Sequence, residues 1–122
     1  MTPRPRRVLV VDDEPGMRET LVDILEGVGY EVTEASDGDL AVSHVQTRPV
    51  DVVVMDVQMP NCDGVEALRQ MRTPPPEVIM MTAYAIEERL RSAVDANAFA
   101  IVHKPFSVAR LLSLIESAAA PS

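Results

Sequence analysis

The chain has 122 residues, which is one domain's worth and enough to bury a core without disulfides. Hydrophobic residues make up 47% and charged residues 25%, proportions typical of a soluble globular domain. The formal net charge of −8 argues against a nucleic-acid-binding domain, because phosphate contacts need lysine and arginine.

Cysteine content and hydropathy indicate the compartment. Cys62 is the only cysteine, so an internal disulfide is impossible and a reducing cytoplasm fits best. No apolar run approaches the roughly 18 residues of a membrane span. The run Val8–Val11 is also far too short for a signal peptide. We therefore expect a cytoplasmic protein that does not enter a membrane.

The first strand and helix are marked by apolar spacing. Val8–Val11 is apolar on both faces, as in a buried parallel strand. Pro15 suits the first turn of a helix, and apolar residues follow at helical spacing. Gly29 is predicted to stop this helix.

The next segments repeat this alternation. Tyr30–Ala35 reads as a second strand, and Asp37 is predicted to cap a helix that runs to about Thr47. Val50–Val57 is the strongest strand signal in the sequence. A third helix follows, with Val65 and Leu68 on its apolar face.

The second half of the chain continues in the same way. Glu77–Thr82 is a predicted fourth strand, and Glu87 and Glu88 begin a predicted fourth helix, where negative charge suits the helix dipole. Ala98–His103 is a predicted fifth strand. Ser107 is expected to cap a fifth and last helix.

Alternation of strands and helices predicts an α/β fold with a parallel sheet and helices on both faces. Five such units fit the flavodoxin-like doubly wound (βα)5 fold, a five-stranded sheet in the order 2-1-3-4-5. Ligands bind beyond the carboxyl ends of the strands in sheets of this kind.

Four of the five predicted strands lead into polar residues. Asp12 and Asp13 follow the first, Asp56 lies at the end of the third, Thr82 ends the fourth and Lys104 follows the fifth. Because the carboxyl ends of parallel strands meet at one edge of the sheet, we expect these side chains to converge.

Three convergent carboxylates require a cation. Two charges about 5 Å apart at an effective dielectric of about 20 repel by about 3 kcal/mol. Lys104 supplies one positive charge, and Mg²⁺, which prefers oxygen ligands, supplies two. There is no Cys/His set for zinc. Asp56 can then act as a nucleophile toward phosphorus and form an aspartyl phosphate.

Four segments in this order resemble the response-regulator receiver domain of two-component signalling systems. They are Val8–Glu14, Asp56–Gly64, Met81–Tyr84 and Lys104–Phe106. Each segment alone is weak, but the ordered set at successive strand ends is highly specific. The resemblance covers nearly the whole chain, and it implies a receiver domain in residues 7–120 after an N-terminal tail of residues 1–6.

The resemblance implies a phosphoacceptor and a metal site. Asp56 would accept the phosphoryl group. Asp13 and the backbone carbonyl of Gln58 would bind Mg²⁺ together with Asp56. Asp12 would reach the ion through water.

The resemblance also assigns the neighbouring residues. Lys104 would pair with the phosphoryl group, and Thr82 would move its hydroxyl onto a phosphoryl oxygen. The Lys104–Pro105 peptide bond is expected to be cis. Pro60 and Gly64 would shape the loop beside the site.

The implied function is a switch controlled by phosphorylation. A sensor histidine kinase or phosphotransfer protein would donate the phosphoryl group from a phosphohistidine. The chain would not be an enzyme beyond its own phosphorylation and slow dephosphorylation. Phosphorylation would shift a face built from the fourth helix, fifth strand and fifth helix, which would control an output domain or partner, or form a homodimer.

One residue departs from the family pattern and leaves an alternative open. Ile101 stands three positions before the lysine, where the family usually carries Tyr or Phe as a rotameric switch; Tyr84 and Phe99 are the aromatic residues nearby. Ile101 favours a non-phosphorylated interaction module that binds partners through the same face. A Mg²⁺-dependent phosphatase is disfavoured, because Gln58 stands where those enzymes carry a second carboxylate.

Overall fold

The computed structural model describes residues 5–57, 64–71, 76–82 and 98–120. Its strands are β1 (Arg7–Val11), β2 (Glu31–Ala35), β3 (Val52–Asp56), β4 (Glu77–Thr82) and β5 (Ala100–His103). Its helices are α1 (Pro15–Val28), α2 (Gly38–Thr47), α3 (Gly64–Gln70) and a C-terminal helix (Val108–Ala119). The predicted helix that begins at Glu87 and Glu88 lies outside the described residues.

The five strands form one sheet in the order β2-β1-β3-β4-β5, and every neighbouring pair is parallel. This arrangement confirms the predicted fold. β2, β3 and β5 begin one or two residues later than predicted, because apolar residues extend beyond the paired ladder. Val50, for example, is buried although it precedes β3.

Helices cover both faces of the sheet because the strands are apolar on both sides. Along β3, Val53 and Met55 belong to one core cluster, whereas Val52 and Val54 belong to the other. The first cluster includes buried residues of α2 and α3, and the second includes those of α1 and the C-terminal helix. All of β3 is buried, so Asp56, its last residue, lies inside the protein.

Local sequence sets the ends of three helices as predicted. Pro15 occupies the first turn of α1, and Gly29 follows its last residue with φ 114°, a left-handed conformation that glycine adopts without strain. The side chains of Asp37 and Ser107 accept hydrogen bonds from the third backbone N–H of α2 and of the C-terminal helix, respectively. Among the helices described, none has the length and apolar run needed to cross a membrane.

Replacing Leu25 by alanine tests the packing of α1. Leu25 is fully buried, so Leu25→Ala is expected to lower the free energy of unfolding by about 2–5 kcal/mol. Val28, on the same helix, is 58% exposed, and Val28→Ala is expected to change the free energy of unfolding by less than about 0.5 kcal/mol. Urea denaturation measures both, and equal losses in the two variants would contradict this packing.

Candidate functional site

The strand register brings the predicted site residues to one edge of the sheet. The parallel pairing of β1 with β3 ends at the residues directly before Asp12 and Asp56, so these two aspartates lie side by side. β4 ends at Thr82, whose carbonyl accepts a hydrogen bond of 2.6 Å from the backbone N–H of Lys104, the first residue after β5. The Lys104–Pro105 peptide bond is cis, as the resemblance implies.

Asp12, Asp13 and Asp56 form an acidic cluster at this edge. Each offers one carboxylate oxygen, and these three atoms lie within 4.8 Å of one another. Asp12 is 1% exposed and Asp56 is 8% exposed, whereas Asp13 lies at the solvent-facing side. Because two of the three groups are shielded from water, their mutual repulsion is weakly screened.

The Lys104 ammonium lies between two of these carboxylates. Its Nζ is 2.7 Å from Asp56 Oδ2 and 3.4 Å from Asp12 Oδ2. Burial lowers the pKa of Lys104, but the hydrogen bond and negative charge of Asp56, together with Asp12, outweigh burial and leave that pKa above its ordinary value. Lys104 therefore carries a full positive charge at neutral pH. It is the only lysine in the sequence.

Several neighbouring groups shift the pKa of Asp12 in opposite directions. Burial raises the pKa of Asp12, while the backbone N–H of Glu14, 2.9 Å from Oδ1, and the charge of Lys104 lower it. The negative charge of Asp56 raises it again, and the net result is a pKa above the ordinary value. The protein groups present therefore compensate the negative charge at Asp12 only in part.

The donor set fits Mg²⁺. All three side chains offer oxygen, and oxygen atoms on opposite sides of an octahedral Mg²⁺ are about 4.2 Å apart, so the cluster accommodates direct ligands and one reached through water. Three aspartates at −1 each and Lys104 at +1 leave −2, which one divalent cation balances. Gln58, whose carbonyl is a further expected ligand, lies outside the described residues.

Gly64 allows α3 to begin close to the end of β3. Its N–H donates to the carbonyl of Val57 over 2.8 Å. A Cβ at this position would lie 2.5 Å from the carbonyl oxygen of Asp56 and 3.1 Å from the Cα of Val57. Both are backbone atoms, so any side chain would displace the backbone of Asp56, which supports the expected role of Gly64. Pro60 lies outside the described residues.

Arg18 of α1 is a neighbour of the site that sequence reasoning missed. Its Nη1 donates to the carbonyl of Asp12 over 2.6 Å, and its Nε donates to Glu34 Oε1 over 2.9 Å. The available signal is an arginine one helical turn after Glu14. Such positions are usually solvated, so sequence alone does not distinguish this arginine from a surface one.

Ile101 is a packing residue in this fold. It pairs with Met80 of β4 and packs, partly buried, against the core cluster beneath α2 and α3. Of the two nearby aromatic residues that could replace the usual switch, Phe99 is 41% exposed and Tyr84 lies outside the described residues.

Similarity to characterised sequences agrees with this geometry. Residues 8–116 match the profile of the response regulator receiver domain, so the chain belongs to that family of two-component systems. It is 39% identical over 118 residues to the transcriptional regulatory protein PdtaR of Mycobacterium tuberculosis, covering 93% of this chain. It is 38% identical over 117 residues to the regulatory protein AtoC of Escherichia coli, covering 92% of this chain. The matched region spans 57% of PdtaR and 25% of AtoC.

Solved structures of receiver domains have the same fold. A CheY-like receiver domain protein from Methanospirillum hungatei superposes with a TM-score of 0.90 at 28% identity, over 93% of each chain. The chemotaxis protein CheY4 from Vibrio cholerae superposes with a TM-score of 0.87 at 28% identity, over 94% of this chain and 99% of that one.

Replacing Gly64 by alanine tests the close approach of α3 to β3. Because the added Cβ meets backbone, Gly64→Ala is expected to lower the free energy of unfolding by about 1–3 kcal/mol. Gly27 lies in α1, where an added Cβ would meet no atom within 4 Å, so Gly27→Ala is expected to stabilise by up to about 1 kcal/mol. Thermal and urea denaturation compare the two, and a neutral Gly64→Ala would contradict the close contact.

Replacing Lys104 by methionine tests the charge balance. Without Mg²⁺ at pH 7, Lys104→Met is expected to cost about 1–3 kcal/mol, less than a fully buried pair because the lysine side chain is 19% exposed. The raised pKa of Lys104 means that its stabilisation is complete at pH 7 and is lost only as the pH rises through that value.

In acid, the contact between Lys104 and Asp12 weakens because Asp12 loses its charge. Because its raised pKa makes the Asp12 carboxylate accept a proton earlier as the pH falls, the difference between the parent chain and Lys104→Met is expected to be smaller at about pH 3 than at pH 7. Urea titrations in EDTA at both pH values measure this, with Arg48→Met on the opposite edge of the sheet as the control. An equal loss at pH 7 and in acid would contradict the charge argument.

Proposed function

We propose that this receiver domain takes a phosphoryl group from a phosphohistidine donor onto Asp56, with Mg²⁺ bound by Asp13, Asp56 and the carbonyl of Gln58 and reached by Asp12 through water. The observation that carries the proposal is the contact of 2.7 Å between Lys104 and Asp56 inside a cluster of three carboxylates. A buried carboxylate beside an ammonium, with a net charge of −2 left to balance, suits a reaction that brings a divalent cation and a phosphoryl group together.

Asp56 supplies the nucleophile. One of its carboxylate oxygens attacks phosphorus, and the new P–O bond forms as the P–N bond to the donor imidazole breaks. The electron pair of that bond stays on the imidazole nitrogen. Mg²⁺, when held by these residues, would supply positive charge to the phosphoryl oxygens. The other ring nitrogen of the donor carries a proton, so the products are an aspartyl phosphate and a neutral histidine on the donor.

Lys104 and Thr82 hold the transferred group in this proposal. Lys104 already donates to Asp56, so its ammonium is placed to donate to a phosphoryl oxygen once that oxygen arrives. Thr82 is 4% exposed at the end of β4, and its carbonyl is bonded to the Lys104 backbone, which supports its hydroxyl as the second contact.

We propose that the domain acts in the cytoplasm and that its partners are a sensor histidine kinase or phosphotransfer protein and an output domain or downstream protein. The output face comprises β5, the C-terminal helix and the predicted helix at Glu87, which lies outside the described residues. Phe99, just before β5, and Val108, at the start of the C-terminal helix, are 41% and 42% exposed, and in this proposal each contributes to contact with the partner or with a second copy in a homodimer. We place the domain in residues 7–120, after a tail of residues 1–6.

A non-phosphorylated interaction module is the second candidate. Ile101, partly buried against the core, is the observation that favours it, since it replaces the usual aromatic switch. The complete charge cluster favours phosphorylation, because an interaction module has no need to bury Asp12 and Asp56 beside each other.

Phosphorylation by phosphoramidate, a small donor with a P–N bond, separates the two candidates. With Mg²⁺ present, the parent chain is expected to gain the mass of one phosphoryl group, and Asp56→Asn is expected to react at least about 1,000-fold more slowly because the nucleophile is gone. Intact-mass spectrometry measures both.

Asp23→Asn is the matched control, since Asp23 lies exposed on α1 away from the cluster, and it is expected to react like the parent chain. Labelling of Asp56→Asn at the parental rate would exclude Asp56 as the acceptor. An unlabelled parent chain would favour the interaction module.

A further inference from the structure

The backbone of Asp12 is held from both sides. Its N–H donates to the carbonyl of Ala35 at the end of β2 over 3.2 Å. Its own carbonyl accepts the bond of 2.6 Å from Arg18 Nη1. A hydrogen bond from a guanidinium is charge-assisted and stronger than one between neutral groups. Arg18 therefore fixes the orientation of the peptide unit that joins Asp12 to Asp13.

Asp13 depends on that peptide unit for its position. Its carboxylate is exposed, and within the described part of the chain no hydrogen bond to this side chain is found. Asp12 differs, because its carboxylate is held by the N–H of Glu14 and by Lys104. The location of the Asp13 oxygen near the other carboxylates is thus set mainly by its backbone.

The ion pair with Glu34 does not by itself explain why Arg18 adopts this geometry. Glu34 is 48% exposed, and ion pairs with solvent-exposed partners contribute little stability. Arg18 itself is only 15% exposed, so most of its side chain is withdrawn from water against the loop that follows β1. Glu34 instead fixes the rotation of the guanidinium plane, which directs Nη1 at the Asp12 carbonyl.

We propose that Arg18 is a positioning residue for the metal site: it orients the Asp12–Asp13 peptide so that the Asp13 carboxylate faces Asp56, and thereby sets the affinity for Mg²⁺. This inference rests on the proposed function, because it assumes that the acidic cluster binds Mg²⁺. Groups that orient metal ligands without touching the metal typically change metal affinity by about 10–100-fold when they are removed.

Calorimetric titration with Mg²⁺ alone tests the inference without any phosphorylation assay. Arg18→Ala is expected to raise the Kd for Mg²⁺ by about 10-fold, and Arg18→Lys, whose ammonium can still donate to the carbonyl, is expected to return it to within about 3-fold of the parent chain. Arg48→Ala removes the same charge at the opposite edge of the sheet and is expected to leave the Kd within about 2-fold.

Glu34→Gln and unfolding in EDTA distinguish positioning from support of the fold. A purely structural ion pair predicts that Arg18→Ala and Glu34→Gln lose similar stability and that neither changes the Kd. Positioning predicts that the Kd rises at least about 3-fold more in Arg18→Ala than in Glu34→Gln. If Arg18→Ala does not fold, Arg18→Gln replaces it in the same comparison.

Two results overturn the inference, and they differ from failure of the proposed function. Mg²⁺ binding by Arg18→Ala within about 2-fold of the parent chain excludes a positioning role while the metal site stands. Because the glutamine oxygen still accepts a hydrogen bond from Arg18 Nε and so keeps the guanidinium orientation, equal weakening in Glu34→Gln assigns the effect to the charge of Glu34 instead of to positioning by Arg18. If the parent chain binds no Mg²⁺, the proposed function itself is contradicted, whatever the variants do.

Discussion

The contact between the Lys104 ammonium and the carboxylates of Asp56 and Asp12 is the interaction on which the rest of the site depends. β3 is apolar on both faces and fully buried, so the sheet carries Asp56 into the interior at the point where the strand ends. A buried charge is costly unless it is paired. Lys104, held through its backbone by Thr82, pairs two carboxylates at once. The remaining formal charge of −2 is what one divalent cation would balance.

In the proposed function, that charge balance also suggests how phosphorylation would be transmitted. A phosphoryl group adds about −1.5 to −2 charges. In the proposed function it competes with Asp12 and Asp56 for the same ammonium. Lys104 is bonded through its backbone to the end of β4 and follows β5 directly, so a change in its partners reaches both strands. Ile101, partly buried beside Met80, supplies no aromatic ring at that position, so in the proposed function such a change would travel through the strand ends.

Local signals and strand topology were sufficient to predict most of this arrangement. Gly29, Asp37 and Ser107 each end or begin a helix through backbone conformation or one short hydrogen bond, and such effects depend only on nearby residues. The convergence of Asp12, Asp56 and Lys104 followed from parallel strands ending at one edge.

Features that depend on distances between separate elements could not be predicted in the same way. The guanidinium of Arg18 reaches the Asp12 carbonyl from a helix face that sequence patterns assign to solvent. The 2.5 Å approach to the Asp56 carbonyl that excludes a side chain at Gly64 depends on how α3 packs against β3. Both are tertiary contacts between backbone and one residue, and no periodicity in the sequence encodes them.

Diffraction from crystals soaked in Mn²⁺, which replaces Mg²⁺ and scatters anomalously, tests the central claim most directly. We expect one anomalous peak between Asp13 and Asp56, about 2.0–2.2 Å from an oxygen of each, with Lys104 still beside Asp56. The account is contradicted if the peak lies elsewhere, or if the carboxylate of Asp56 stands well apart from those of Asp12 and Asp13.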